Sequence, residues 1–229
     1  MAKKLLFFGV GIFCETLTSS LFDEQARVPD VYTVDSAYCK DNTFCGKPLI
    51  PFEDITRYCP PEDYSFIMAI GYAKLNKVRE EKASLLRSRG YSQESFVSRY
   101  ARVASSAAIA AGAIIFENVV VHPFAKIGTD IIIQPNVYVG HHSIIGNSCY
   151  IGPGASLCGG VSVGNYCFIG ANAAIREFVS VEDSCIIGAG SVLMRNLEST
   201  SLCNVGESRV IRNKALQINL TNPNTMRKE

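Results

Sequence analysis

Three histidines occur in the 229 residues, His122, His141 and His142, and two of them are adjacent. Val139-Gly140-His141-His142-Ser143 sets an imidazole pair beside a glycine, and eighteen residues later the chain carries Gly159-Gly160. If residues eighteen apart are stacked, each of these histidines lies against bare backbone. An imidazole beside an unhindered N–H is the pairing that proton abstraction and oxyanion stabilisation require. Group transfer at a carbonyl is the chemistry it suggests. On its own, a His-His pair is more often a solvated surface feature. The reading therefore depends on what would hold the two stretches in register.

A strict repeat does so. From Val103 to Leu193 every sixth residue is Val, Ile or Leu: sixteen consecutive positions without a slip. Gly often follows the aliphatic, and a small or branched residue stands four places after it, as in Ala107, Ala125, Val137, Cys149, Ala155 and Cys167. A period of six fits neither an amphipathic helix nor a simple alternating strand. It fits a parallel β-helix of short strands around a narrow core, with three hexads per coil and roughly 4.8 Å between coils. Sixteen hexads make about five coils. His141 stands two places after its aliphatic, outside the core-filling positions.

The residues before the repeat have another character. Leu5–Phe8 reads as a buried parallel strand, Gly9-Val10-Gly11 as a turn, Phe13–Phe22 as a helix and Val31–Val34 as a second strand ending at Asp35. A further strand ends at Gly71, and a charged helix is expected from Lys74 to Arg89. A glycine turn after strand one with an acid after strand two is the skeleton of a nucleotide-binding βαβ unit. Gly9, Gly11 and Gly71 would admit phosphate, and Asp35 would accept from a ribose or base. The third glycine of that fingerprint is replaced by Cys14. The expected division is an α/β unit over 1–98, the β-helix over 99–205 and a tail over 206–229.

Composition narrows the partners. Hydrophobic residues make up 48%, enough for real cores, and a net charge of +1 points away from nucleic acid or a membrane surface. The nine cysteines form no Cys-x-x-Cys pair. Cys149, Cys167, Cys185 and Cys203 are each eighteen apart, which predicts a ladder of buried free thiols suited to a reducing cytoplasm. No run is long enough to span a bilayer, and the apolar start is read as a first strand, not a secretory leader. The three histidines lack the spacing of a zinc triad, so no metal is expected.

The hexads resemble those of the hexapeptide-repeat acyltransferases, which implies a left-handed coil. The α/β cap, the uninterrupted repeat and the position of His141 together resemble the bacterial nucleotide-sugar acetyltransferases over nearly the whole chain. That group includes UDP-4-amino-sugar and GDP-perosamine N-acetyltransferases and sialic acid O-acetyltransferase-like proteins. The resemblance implies a Rossmann-like cap on a left-handed β-helix, a homotrimer, and acetyl transfer from acetyl-CoA to the amino group of a nucleotide-linked sugar for surface glycan (O-antigen) synthesis. Sugar O-acetylation is the alternative, with a non-catalytic scaffold further behind. By position, His141 matches the catalytic base and Gly159 the oxyanion donor. Tyr150, Ala171 and Ala189 match acetyl-CoA contacts, and Gly9, Gly11, Asp35 and Gly71 the sugar-nucleotide site. Where the family places Glu or Asp after the histidine, this chain has His142. Either another carboxylate, Asp130 or Glu117, supports His141, or the acceptor needs a less basic partner. Ile12, Phe13 and Ser36 also depart from the family's cap motif, and the tail departs from its Gly-Asn-Pro-Ala pattern, which leaves for Arg209 and Arg212 no more than a pairing with CoA phosphates as an expectation.

Overall fold

The computed structural model describes residues 3–205. The tail from 206, with Arg209 and Arg212, lies outside the described residues.

The first unit is an α/β sheet. Its elements are β1 (Lys4–Phe8), α1 (Ile12–Gln25), β2 (Val31–Val34), β3 (Thr43–Phe44), β4 (Lys47–Pro51), α2 (Ile55–Tyr58), β5 (Tyr64–Met68), α3 (Lys77–Ser88) and β6 (Ser92–Gln93). The sheet order is β3-β4-β2-β1-β5-β6, parallel except for the β3–β4 pair. Leu5, Leu6, Phe7 and Phe8 are all buried, as a strand covered on both faces demands. Leu5 and Phe7 pack with Cys14, Leu17 and Leu21 of α1, whereas Leu6 and Phe8 pack with Ala83 and Leu86 of α3. The helix expected from Lys74 starts at Lys77, because Lys74, Leu75 and Asn76 adopt left-handed backbone (φ 49°, 53° and 62°).

Between Gln93 and Phe96 the chain passes into the repeat, which is a parallel β-helix with three faces. One face has seven strands, from Phe96–Val97 to Leu202–Cys203. The second has six, from Arg102–Val103 to Val192–Leu193, and the third has five, from Ala108–Ile109 to Ser180–Val181. Up to the last coil, each pair within a face joins residues eighteen apart, as Ile132 with Tyr150 and Tyr138 with Ser156. The hexad explains this. In each two-residue strand the aliphatic points in and its neighbour points out, and the small residue fills the corner. Ile133, Val137, Val139, Ile151, Ala155 and Leu157 are essentially inaccessible. Burying each such aliphatic is worth about 2 kcal/mol.

The α/β unit packs on the seven-stranded face, called here the docked face. Its α1 and β1 share one apolar cluster with Phe96, Ile114, Phe116 and Ile132.

The last coil breaks the period. Val181 bridges Leu197, and Ile187 pairs with Cys203, each sixteen residues on instead of eighteen. The stretch after Leu193 is two residues short. Leu197 therefore takes a strand position where the hexad count put it at a corner, and Cys203 stacks on the aliphatic Ile187. The thiol ladder is Cys149, Cys167 and Cys185, all buried, and Cys203 is not part of it. Each of the three thiols donates to a corner carbonyl at 3.0–3.1 Å: Gly164, Glu182 and Glu198.

Candidate functional site

The β-helix has three corners. Residues 128–131, 146–149, 164–167 and 182–185 join the third face to the docked face. Residues 134–137, 152–155, 170–173 and 188–191 join the docked face to the second. Residues 140–143, 158–161 and 176–179 join the second face to the third, and His141 stands there.

His141 is exposed, and its imidazole lies directly over Gly159. A Cβ at Gly159 would come within 2.6 Å of His141 Nε2 and 2.7 Å of Cε1, so only glycine leaves room for the ring. Register is fixed from both sides: Gly160 N–H donates to His141 O at 2.8 Å, and His142 N–H to Pro123 O at 3.1 Å. His141 Nδ1 lies 3.2 Å from His142 Nδ1. One ring must donate and the other accept. With the proton on His141 Nδ1, its Nε2 is a free base facing Gly159. The His142 ring is braced at 4.9 Å by Phe124. Neither candidate carboxylate reaches this corner. Asp130 is bound to Arg87 and Gln93 at the first corner, and Glu117 belongs to the second, where its carbonyl accepts from Asn136. His142 is the partner.

The Gly159 N–H donates to no protein atom among the described residues, and its carbonyl accepts from Phe178 at 3.1 Å. Gly140, one coil earlier, keeps the amide clear: a Cβ there would sit 2.5 Å from the Gly159 nitrogen. The arrangement is a base and an unfilled N–H on adjoining coils, which fits a carbonyl whose oxygen becomes negative while a nucleophile loses its proton.

Ala171 and Ala189 stand on the second corner, one coil apart. Their N–H groups likewise lack partners among the described residues, and Gly152 and Gly170 face them. The six-stranded face, with the outward side chains Tyr138, Ser156 and Ala174, lies between these alanines and His141. Tyr150 is elsewhere. It points out of the docked face, stacks on Phe168 at 5.1 Å and is covered by Tyr72 at 4.5 Å. Within one chain it does not join His141.

In the α/β unit the structure does gather the glycines. Strand order reverses at β1, so the crevice of a parallel sheet opens between the carboxyl ends of β1 and β5. Gly9 passes so close to the Ala69 carbonyl that a side chain could not fit, and nothing lies within 4 Å of a Cβ at Gly11 or Gly71. Gly11 caps α1, whose first N–H groups meet no side-chain cap. A cavity of about 350 Å³ adjoins it, lined by Gly11, Tyr38, Lys40, Asp41, Thr43 and Phe44. Asp35 is already paired with Lys82 at 2.5 Å, which places a cation beside any ribose it would hold.

The cap crevice and His141 are not brought together in one chain. The cap covers the docked face, and the His141 corner joins the other two faces, on the far side of the prism. Sequence reasoning missed Phe124 and Phe178. Both are exposed aromatics with left-handed backbone (φ 63° and 60°) flanking His142 and Gly160. The signal was present, since the equivalent position elsewhere in the repeat is mostly Asn, Asp, Ser or Gly. Among the described residues no group of three or more His, Cys, Asp or Glu is placed to hold a metal ion, and no helix is long and apolar enough to cross a membrane.

No curated protein sequence matches the chain significantly. The family described as GMPPB C-terminal domain matches residues 115–226. Among solved structures, a mutant of perosamine N-acetyltransferase from Caulobacter crescentus, in complex with CoA and GDP-perosamine, is 24% identical, with a TM-score of 0.80 over 88% of this chain and 93% of that one. The acetyltransferase domain of PglB from Neisseria gonorrhoeae, in complex with acetyl coenzyme A, is 21% identical, with a TM-score of 0.77 over 87% and 95%. WeeI from Acinetobacter baumannii is 20% identical, with a TM-score of 0.77 over 88% and 96%. This chain shares the fold of these proteins, among them a perosamine N-acetyltransferase and the acetyltransferase domain of PglB.

Proposed function

We propose that the protein transfers the acetyl group of acetyl-CoA to the amino group of a nucleotide-linked amino sugar. The observation that carries this is the His141 imidazole over Gly159, with Nδ1 engaged by His142 and the Gly159 N–H unfilled. The likeness to acetyltransferases that hold CoA with GDP-perosamine, or acetyl coenzyme A, supports it.

His141 Nε2 accepts the proton of the attacking amine as the C–N bond forms. The Gly159 N–H donates to the carbonyl oxygen as it becomes negative. The C–S bond then breaks, and His141 returns its proton to the departing thiolate. The free N–H groups of Ala171 and Ala189 suit the amides of the pantetheine arm. The buried thiols are no rival nucleophiles: Cys149, Cys167 and Cys185 line the closed core of the coil, not the His141 corner.

Residues 1–98 hold the sugar nucleotide in this reading. The cap crevice with Gly9, Gly11 and Gly71 is its place, and Asp35 meets it through the Lys82 pair. Residues 99–205 carry the transfer. Because His141 faces away from its own cap, a neighbouring chain must bring the acceptor. A homotrimer with acetyl-CoA between adjacent left-handed coils satisfies this. The exposed Tyr138, Ile144 and Phe178 around His141 are the apolar surface such a neighbour would cover. Tyr150, under Tyr72, would then act from the docked face. A cytoplasmic enzyme of surface glycan synthesis fits these substrates.

The test is thiol release from acetyl-CoA with UDP-, dTDP- and GDP-linked amino sugars, alongside His141→Ala. Loss of a general base lowers turnover by about a thousandfold. Near-normal turnover in the variant would remove His141 from the mechanism. Transfer to a sugar hydroxyl is the second reading, favoured by the His142 imidazole where a carboxylate would make a stronger base. Mild alkali separates the two, since it cleaves an ester and spares an amide.

A further inference from the structure

Where α3 lies along the first corner, the interior holds polar groups without partners. Asn76 and Arg79 are completely buried and Ser148 almost so. Asn76 Nδ2, Arg79 Nε and Nη1, and Ser148 Oγ have no hydrogen-bond partner among the described residues. Arg79 makes one bond, from Nη2 to Asn76 Oδ1 at 3.2 Å. Burial draws its guanidinium down to about 10, against the opposing pull of Asp130 and Cys149.

Placement brings these atoms to one locus. Asp130, Ser148 and Tyr166 stack at eighteen-residue spacing on the corner. Along α3, Arg87 binds Asp130 at 2.8 Å and Lys77 lies 5.7 Å from the Tyr166 ring centre. Arg79 stands between them on the helix, near enough to Asp130 and to Cys149, the neighbour of Ser148, to feel the charge of both. Asn76 is the N-cap residue of the helix but its side chain caps no N–H, and its Oδ1 accepts from Arg79 instead. Three consecutive left-handed residues, Lys74, Leu75 and Asn76, are what turn Asn76 inward.

The charges do not cancel. Both Asp130 oxygens are taken, by Arg87 Nη1 and Gln93 Nε2. Two guanidinium groups thus face one carboxylate, and Arg79 is the buried one without an ion pair among the described residues. A buried cation with unmade bonds is among the costliest arrangements in a protein interior. Water would accept the bonds and leave the charge. An anion answers both. We propose that Arg79, Asn76 and Ser148 bind a small inorganic anion of halide type, which locks the α/β unit onto the β-helix.

Bromide is the probe, on the full chain. Crystals grown in bromide are expected to show an anomalous peak in contact with Arg79 Nε. In solution, the melting temperature should rise by about 4 °C per tenfold increase in bromide once the site is filling, measured against gluconate at equal ionic strength. Asn76→Asp supplies a built-in carboxylate, tolerates the left-handed backbone, and should melt higher with no bromide dependence. Arg79→Met should lose the dependence if it folds. A non-anomalous water at Arg79, or an Asn76→Asp variant that keeps the full bromide response, overturns the proposal.

Discussion

Two corners of the same β-helix treat the same backbone atom in opposite ways. At the corner of Thr129, Asn147, Asn165 and Asp183, the N–H of each of the first three is met by a side chain from the next coil. Thr129 N–H donates to Asn147 Oδ1 at 2.9 Å, Asn147 N–H to Asn165 Oδ1 at 2.9 Å, and Asn165 N–H to Asp183 Oδ1 at 2.7 Å. Glycines make the room, since a Cβ at Gly128 or Gly164 would strike the Asn147 or Asp183 oxygen. At the corner of His141, Gly159 and Glu177 the glycine room is also present, at Gly140, and no side chain among the described residues closes the Gly159 N–H. The hexad alone therefore builds a scaffold that can close its own amides. A site arises where the closing side chain is withheld and a base is set beside the gap.

The sharpest way to break that contrast is to close the open corner. Glu177 occupies the position from which Asp183 serves Asn165, but Glu is one methylene longer and makes no such bond. Glu177→Asn should place its carboxamide oxygen on the Gly159 N–H. The expected result is a loss of about a hundredfold in kcat, the usual cost of an occupied or missing oxyanion donor, with an unchanged or raised Tm. Full activity in this variant would mean that Gly159 N–H is not the donor.

A smaller effect should follow at His142. It touches His141 only through the Nδ1–Nδ1 contact and is braced by Phe124. His142→Ala leaves His141 Nδ1 without a protein partner and its ring free to turn. About a tenfold fall in kcat with little change in KM is expected, and His142→Glu should restore it by accepting the same bond. If Glu rescues no better than Ala, His142 is packing and not orientation.

Much of the contrast could be read from the residue types. The aliphatic period fixed the three faces and the eighteen-residue register, and so put His141 over Gly159. The period could not show where it ends, because Leu197 and Cys203 fit the count while two residues are lost in the corner after Leu193. Nor could it show which amides are closed: Asn and Gly both suit a tight corner, and only their side-chain direction separates a ladder from a gap. In the α/β unit, the continuous apolar strands β1 and β2 were legible. The short β3 and β4, with Gly46 and Pro48 between polar residues, carried no pattern. The start of α3 was hidden because its favourable composition begins at Lys74, whereas tertiary contacts bend Lys74–Asn76 the other way. Tyr72 over Tyr150 is long-range and left no trace in local spacing.

The reverse change, opening the closed corner, should be the mildest and is the control for the others. Asn165 Oδ1 accepts from Asn147 N–H, and its Nδ2 donates to Asp183 Oδ1 at 3.3 Å. Asn165→Ala frees the Asn147 amide to water at a half-exposed surface. One such bond is worth about 1 kcal/mol, which for a chain of this size lowers Tm by about 3 °C. Turnover should be unchanged, because the opened amide has no imidazole beside it. A bare N–H at a β-helix corner would then be shown to cost a little stability and to do nothing by itself. If Asn165→Ala instead depressed kcat as much as His142→Ala, the two corners would be mechanically coupled, and the activity losses at Glu177 and His142 would have to be read as general loosening of the coil.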